Sequence, residues 1–583
     1  MAAMIACFGC AGMQSTAQKS KLSSRATAGS SAGELSIATV GDLSAVDPHF
    51  NFLDLNINMN RLVYETLIEL DKDKNVKPLL ATSWSLDEKD KTIWRFQLRN
   101  DVFFHRGEKL TKADVLATID RIFAYQKYSK GGYTMILRDL NVARTKEMNQ
   151  TGDAYVLYLV TNAPAPLFPS SLGAIFIMSE KDCRQAIEIQ EQDVDVAGKD
   201  VSAKTLQAFA SGELVNGSGP YRFKEWIPGQ RVTVDRFAGY RDPSRTQWSS
   251  IHIIPEKDPV KRAQLLINRD VQAISGVTNQ TISQLQQSGL TISRRAGLRN
   301  MHMQFAQNPL DGRDKKPTHV PVKIKGTDKV LPNPLLNKNF RKALSYAVNK
   351  EKLVADVMQG SGYPTGQYMP EGTVGYIKSI GKQYYRSKDV QGSIQRARAA
   401  MFAASAELPF LVNQEIEIPV HGTSDRYPQD GLLIQTLAQM WTEMFHFSMN
   451  GKKFALTFKP LPEPLSTYFK QNSTYLIGLL GGGVDNGQIE GALRLYFIPG
   501  SGLNAGGYTN EAVTNLYRQG SAEFNEKKRE EIFVEAMKRV IRDYGFLPLF
   551  HLEEIMAYDQ SLTTEHRIDG LMVGYEFKKR SQE

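Results

Sequence analysis

The stretch GGGVDNGQI, Gly481–Ile489, has the glycine spacing of a phosphate-binding loop. Such a loop cradles phosphate oxygens on backbone N–H groups, and it ends on a lysine and a serine or threonine that carry charge and bind magnesium. Gln488 and Ile489 stand in those places, so this loop lacks both the cation and the metal ligand. GSGP at Gly217 and GSG at Gly360 lack the G-x-S-x-G of a nucleophile elbow. No H-E-x-x-H occurs, and the nine histidines are scattered without metal-ligand spacing. Even His551 and His566 are too far apart to share a helical turn. His105 remains, beside the Arg106-Gly107 turn of FFHRGEKLTKADVLATIDRI. An imidazole there could act as a base, or the stretch could be frame. Its second half reads as a helix, with Thr111 as N-cap, Asp114 near the positive end of the dipole, and Val115, Ile119 and Ile122 on one side.

The elements that would position these residues come from an ordinary soluble composition. At 583 residues the chain is too long for one core, so two or three domains are expected; 42% of residues are hydrophobic and 23% charged. The net charge of +9 is spread out, with no Lys/Arg run suited to nucleic acid. Of three cysteines, Cys7 and Cys10 lie in the N-terminal apolar run, leaving Cys183 as a small buried residue in the body. MAAMIACFGCAG is too short to span a bilayer and suits an export signal. Gly9-Cys10 resembles a lipoprotein cleavage site, which would anchor the chain through Cys10. Gln14 to Ser31 reads as a flexible tether.

Strand and helix patterns then alternate to the end of the chain. Leu35, Ile37 and Thr39 alternate as a strand, and Asn60–Asp71 has helical spacing. Ile93–Leu98 is a two-faced strand, as is the start of AYVLYLVTNAPAPLF. Tyr221–Trp226 and Val232–Arg236, joined by Pro228-Gly229, read as a β-hairpin. Pro259 to Ser275 reads as a helix followed by a buried strand, and Lys315 to Asn333 as an exposed insert. NKNFRKALSYAVNKEKLVADVMQGSG gives two helices, with Asn349 capping the second and Gly360 stopping it. EKKREEIFVEAMKRVIRDYG is a helix ended by Gly545, and FLPLFHLEEIMAY is a strand.

Several blocks in order resemble the peptide/nickel cluster of ABC-transporter solute-binding proteins, the relatives of periplasmic dipeptide- and oligopeptide-binding proteins. They are AVDPHF, VYETLIELD, PLLATSWSLDEKDKTIWRFQLRNDVFFHRGEKLTKADV, GSGPYRFKEWIPGQ, NFRKALSYAVNKEKLV, AGGYTNEAVTNLY and FLPLFH. The resemblance runs from about Glu34 to Phe577. It implies an α/β, two-lobed periplasmic-binding-protein fold of type II, in the large cluster with an extra accessory domain, closing on its ligand about a hinge. The implied parts are a signal and tether (1–33), lobe one (34–77, 209–299 and 544–583), an accessory domain (78–208) and lobe two (300–543). Chain crossings near Gly297 and Tyr544-Gly545 would form the hinge. In the family, the Phe-His-x-Gly turn and the helix after it belong to the accessory domain, so His105 is expected to be frame.

The resemblance implies no enzyme, cofactor or metal, but an exported periplasmic monomer that hands a peptide to a membrane permease and its ATPase subunits. Peptide binders of this kind hold the ligand α-amino group with a lobe-two aspartate, and Asp485 matches that position. The tryptophan often found before it is absent. Gly482 and Gly483 stand there with Gly481, and Asn486 follows, which suggests a wider pocket. Further expected liners are Val40, Gly41 and Asp42 after the first strand, Tyr368 and Met369 before Pro370, and Arg426 and Tyr427. Nickel chelate, haem, opine and sugar remain alternatives on this fold; an amidase or peptidase is the alternative from another class.

Overall fold

A computed structural model describes residues 33–50, 54–125, 133–192, 203–307, 322–381, 389–427, 429–464, 467–468, 475–484, 487–501 and 503–580. The expected signal and tether lie outside them, apart from Gly33. The apolar alternation of the first strand, Glu34–Thr39, places Leu35 and Ile37 in a buried cluster. This strand runs parallel to Ser250–Pro255 on one side and to Ala273–Ile274 on the other. The hairpin Tyr221–Ile227 with Arg231–Arg236 extends the sheet antiparallel beyond Ser250–Pro255. Asp258 caps the helix Pro259–Ile267 through the N–H groups of Val260 and Lys261, 2.8 and 3.1 Å away, before the short strand Ala273–Ile274.

Two long strands carry the sheet from one half of the molecule into the other. Thr291–Phe305 and Phe546–Tyr558 pair antiparallel, and beyond them come Ile477–Gly482, Glu415–Thr423, Lys452–Glu463 and His446–Met449. The result is one 13-stranded sheet with a lobe packed around each half. Its ladder breaks at the boundary, and a second irregularity follows between Met301 and His302. Ala296 faces Glu553 and Asn300 faces His551, so residues 297–299 bulge opposite Leu552 alone. Beyond the break, Phe546–His551 pairs with Asn300–Gln304, on the side of the sheet that continues to Ile477–Gly482. Tyr544 and Gly545 end the helix Glu526–Arg542, Tyr544 in a left-handed conformation (φ 52°) and Gly545 donating to the Val540 carbonyl at 3.0 Å.

A smaller sheet, Ala81–Leu86, Ile93–Leu98 and Val156–Val160, has its own core around Phe96, Phe104 and Leu157. The helix Lys112–Tyr125 covers it with Val115, Ile119 and Ile122. Asp114 does more than face a dipole. One carboxylate oxygen accepts from the Thr111 N–H at 2.8 Å and the other from the Glu180 N–H at 2.8 Å. In the far lobe, Asn337 and Asn349 cap Lys338–Tyr346 and Lys350–Asp356 at 3.1 and 3.0 Å. Of the expected insert, residues 322–333 are described; Val322 is buried and Lys323–Ile324 pairs with Ile416-Glu417, so this part is tied to the sheet. Cys183 is buried, and burial pushes its thiol up to about 12. No helix among the described residues is long and apolar enough to cross a membrane.

His105 is a fastener. Its backbone N–H donates to the Gly217 carbonyl at 2.8 Å, and its Nε2 meets the Gly219 carbonyl at 2.9 Å. Burial holds the ring neutral, its pKa lowered to about 4. The GSGP glycines have a steric cause. A Cβ on Gly217 would stand 1.8 Å from the Val63 carbonyl oxygen, and one on Gly219 2.6 Å from that of Leu62. Both sit against the end of the helix Asp54–Val63, which forms one wall of the interlobe space. Gly217→Ala is expected to lose about 1–3 kcal/mol by forcing this contact apart. An unchanged urea midpoint would contradict the packing described.

Candidate binding cleft

A cavity of about 1720 Å³ lies between the two lobes. Pockets for small ligands usually hold roughly 300–1,000 Å³, so this one has room for an extended solute. The crossing strands supply its floor through Leu298, Arg299, Leu552, Glu553 and Glu554. The helix Asp54–Val63 adds Asp54, Ile57 and Arg61, and the loop after Ala273–Ile274 adds Gly276 to Gln280. The opposite wall includes Gly483, Val484, Glu490, Arg494, Tyr496 and Tyr517. The small-sheet domain also reaches the cavity, through Arg138, Asp139 and the turn Asn162–Ala165. Far residues touch across the mouth at two places: the Asn279 side-chain amide donates to the Gln359 carbonyl, and Gly487 packs on Lys74 so closely that a Cβ would meet its Cβ at 2.8 Å.

Most charges along the walls are already paired. Lys74 Nζ lies 2.8 Å from Asp569, which also takes Arg567 at 3.0 Å. Burial pushes the Asp569 carboxyl up, but the two cations outweigh it and hold that group well below the usual range. Glu490 accepts from the Tyr517 hydroxyl at 2.9 Å and lies 3.3 Å from Arg494 Nε. Arg294 forks onto Glu553 at 2.9 and 2.6 Å. Arg262 is spent on the carbonyls of Glu256, Ser275 and Gly276. Two floor residues differ. The side chains of Arg299 and Glu554 make no hydrogen bond or ion pair among the described residues. Arg299 sets its guanidinium 5.9 Å from the centre of the Tyr427 ring. No cluster of His, Cys, Asp and Glu among the described residues has the arrangement to hold a metal ion.

Of the residues singled out from the sequence, Val40 and Gly483 line the cavity. Asp485 and Asn486 lie outside the described residues, although Val484 before them is a liner. Gly482 is buried behind the wall, where a Cβ would stand 2.1 Å from the Tyr496 hydroxyl and 2.8 Å from that of Tyr368. Gly481 meets the Tyr427 ring in the same way, so these two glycines leave room for the tyrosines. Asp42 holds the hairpin tip: it accepts from the Trp226 indole at 3.0 Å and the Gly229 N–H at 2.5 Å. The Gly41 carbonyl accepts from the Thr39 hydroxyl at 3.0 Å. Tyr368 and Met369 are fully buried among Tyr496, Phe497 and Phe546. The Tyr427 hydroxyl donates to the Gly481 carbonyl at 2.5 Å, with Arg426 stacked 4.8 Å over its ring; from that loop it is Gln429 that reaches the cavity. Arg299 and Glu554 were not among the expected liners. The adjacent acids of FLPLFHLEEIMAY, an otherwise mostly apolar strand, were the signal for the second.

The model of the middle part of the bacterial extracellular solute-binding proteins, family 5, matches residues 75–497. The glutathione-binding protein GsiB of Escherichia coli strain K12 is 23% identical over 362 residues, which cover 60% of this chain. The chain spans 58% of the length of such curated relatives. Among solved structures, the periplasmic murein tripeptide-binding protein MppA, in an unliganded open form, superposes with a TM-score of 0.70 at 15% identity, over 94% of this chain and 98% of that one. DppA of Helicobacter pylori, in complex with the peptide STSA, superposes with a TM-score of 0.67 at 17% identity, over 94% and 98%.

Proposed function

This chain belongs to family 5 of the bacterial extracellular solute-binding proteins, and from that premise we propose that it captures peptides between its lobes and delivers them to the permease of an ABC importer. The observation that carries the reading is the cleft itself, about 1720 Å³ and floored by two crossing strands whose ladder breaks beneath it. A broken ladder is where one lobe can rotate on the other with little loss of pairing. GsiB is named for glutathione and MppA for a murein tripeptide, and DppA was solved with a tetrapeptide. An extended peptide can bind largely through its backbone, which suits a long cleft and broad specificity. The protein is exported, works as a monomer and is no enzyme; the permease and its ATPase subunits are its partners.

In this reading Asp485 takes the ligand's α-ammonium. A carboxylate facing an ammonium in a dry cleft is worth about 1.5–3 kcal/mol, so Asp485→Asn is expected to weaken peptide binding roughly 10- to 100-fold. Titration of ligand-stripped protein with defined di- to pentapeptides reads this directly. Unchanged affinity in the variant would remove Asp485 from the site, and no binding by the wild-type protein would overturn the peptide reading. Mass spectrometry of solute released on denaturing the protein as purified would then name the class in its place.

A further inference from the structure

We propose that Glu554 is a second cation-recognising group of the cleft, selecting peptides that carry a basic side chain besides their terminal ammonium and releasing a proton when one binds. The inference rests on the peptide-binding reading above.

Glu553 and Glu554 follow the bulge on the second crossing strand, and successive side chains of a strand point to opposite faces. Glu553 is committed to the Arg294 fork and to the Tyr363 hydroxyl at 2.8 Å. The Glu554 side chain takes the opposite face of the strand and sits between two glycines. A Cβ on Gly297 would stand 2.9 Å from its Oε1, and one on Gly570 would stand 2.6 Å from its Oε2. No side chain could occupy either place without moving the carboxylate. The slot is shaped for it, yet contains no donor that bonds to it among the described residues.

The charges around the slot do not supply a counter-ion. Asp54, from the first turn of Asp54–Val63, and Asp569, from the loop after the strand, add negative potential. Asp569 is itself bound to Lys74 and Arg567. Arg295, directly opposite in the ladder, donates to Asp73 at 2.5 Å and to the His566 carbonyl at 2.7 Å. Arg299 alone lowers the cost of ionising Glu554, and it forms no ion pair with it. Burial, with Asp54 adding to it, pushes the Glu554 carboxyl up to about 7. An ionised carboxylate is costly in such a place unless a cation arrives. A lysine or arginine side chain of a bound peptide would supply it in a charge-assisted bond.

The probe is a mixture of tri- to penta-alanine peptides with one lysine, or its neutral isostere norleucine, at each position in turn. Ligand-stripped protein captures peptides from the mixture, and mass spectrometry gives the lysine-to-norleucine ratio. At pH 8 the ratio is expected to be about tenfold or more, since a charged hydrogen bond is at stake. Lysine stays protonated from pH 8 to pH 6, whereas Glu554 takes up its proton, so the ratio should fall by up to about tenfold per pH unit below 7. Glu554→Gln should bring the ratio close to one and remove its pH dependence. The wild-type pH profile stands by itself if that variant folds poorly. Capture without a lysine preference, or a preference that survives in Glu554→Gln, overturns this inference and leaves the peptide reading standing. Capture of no peptide at any pH overturns both.

Discussion

Asparagine in place of Asp47 is expected to cost about 3–5 kcal/mol of stability, much of what a domain has to spare. Asp47 stands in the loop after the first strand, and Arg121 comes from the helix over the small sheet; neither side chain is exposed at all. The guanidinium forks onto the carboxylate at 3.0 and 2.5 Å. Its Nη1 also donates to His49 Nδ1 at 2.6 Å, while His49 Nε2 meets the Phe176 carbonyl at 2.9 Å. The cation lies 5.1 Å from the Phe209 ring centre. Asparagine would keep the shape and remove the charge, leaving a guanidinium buried without its counter-ion. Arg121→Leu should cost a similar amount, and the double variant less than the sum of the two. Denaturant melts at neutral pH measure all three, and a loss under about 1 kcal/mol for Asp47→Asn would show that the pair is not holding these elements together. Because the pair joins lobe one to the small-sheet domain, the damage should surface first as proteolytic cleavage in that domain.

Acid should unfold this protein over a narrow interval. Burial lowers the pKa of His49 to about 3 and those of His105, His302, His551 and His566 to about 4. In the unfolded chain each would titrate near 6.5. The native state therefore binds fewer protons between those values, and stability is lost as pH falls from about 6.5 towards 4. Each histidine contributes up to about 1.4 kcal/mol per pH unit, so five together approach about 7 kcal/mol per unit. Glu554, pushed up by burial to about 7, and Asp114, raised by burial, act in the opposite sense and take back part of the slope. Melts at pH 7.5, 6.5 and 5.5 with a count of protons taken up on unfolding would test this. A stability flat from pH 7 to 5 would show that these rings are not kept neutral in the folded protein.

The frame was legible because its signals are local. Asn349 announces a helix start in the sequence, and Pro228-Gly229 announces the hairpin tip. The cleft was legible only in part, because what faces it depends on residues far away in the chain. Tyr368 and Met369 before Pro370 read as cleft liners, and in the fold Tyr496, Phe497 and Phe546 pack around them. Asp42 reads as an open loop carboxylate until Trp226, 184 residues later, donates to it. Glu554 was hidden for the same reason: only the bulge sets its carboxylate against Gly297 and Gly570.

The bulge at residues 297–299 also takes up length at this joint. Just beyond it, Met301, Met303 and Phe305 point into an oily cluster with Phe340 and Trp441, whereas Asn300, His302 and Gln304 take the reverse side, where the His302 ring lies among those of Tyr368, Tyr496 and Phe546. Both faces are filled, so the run keeps its register, and a residue added or removed among 297–299 is absorbed in the unpaired bulge. A redesign of the swing between lobes therefore has its freedom in these three residues and none in the paired run after them.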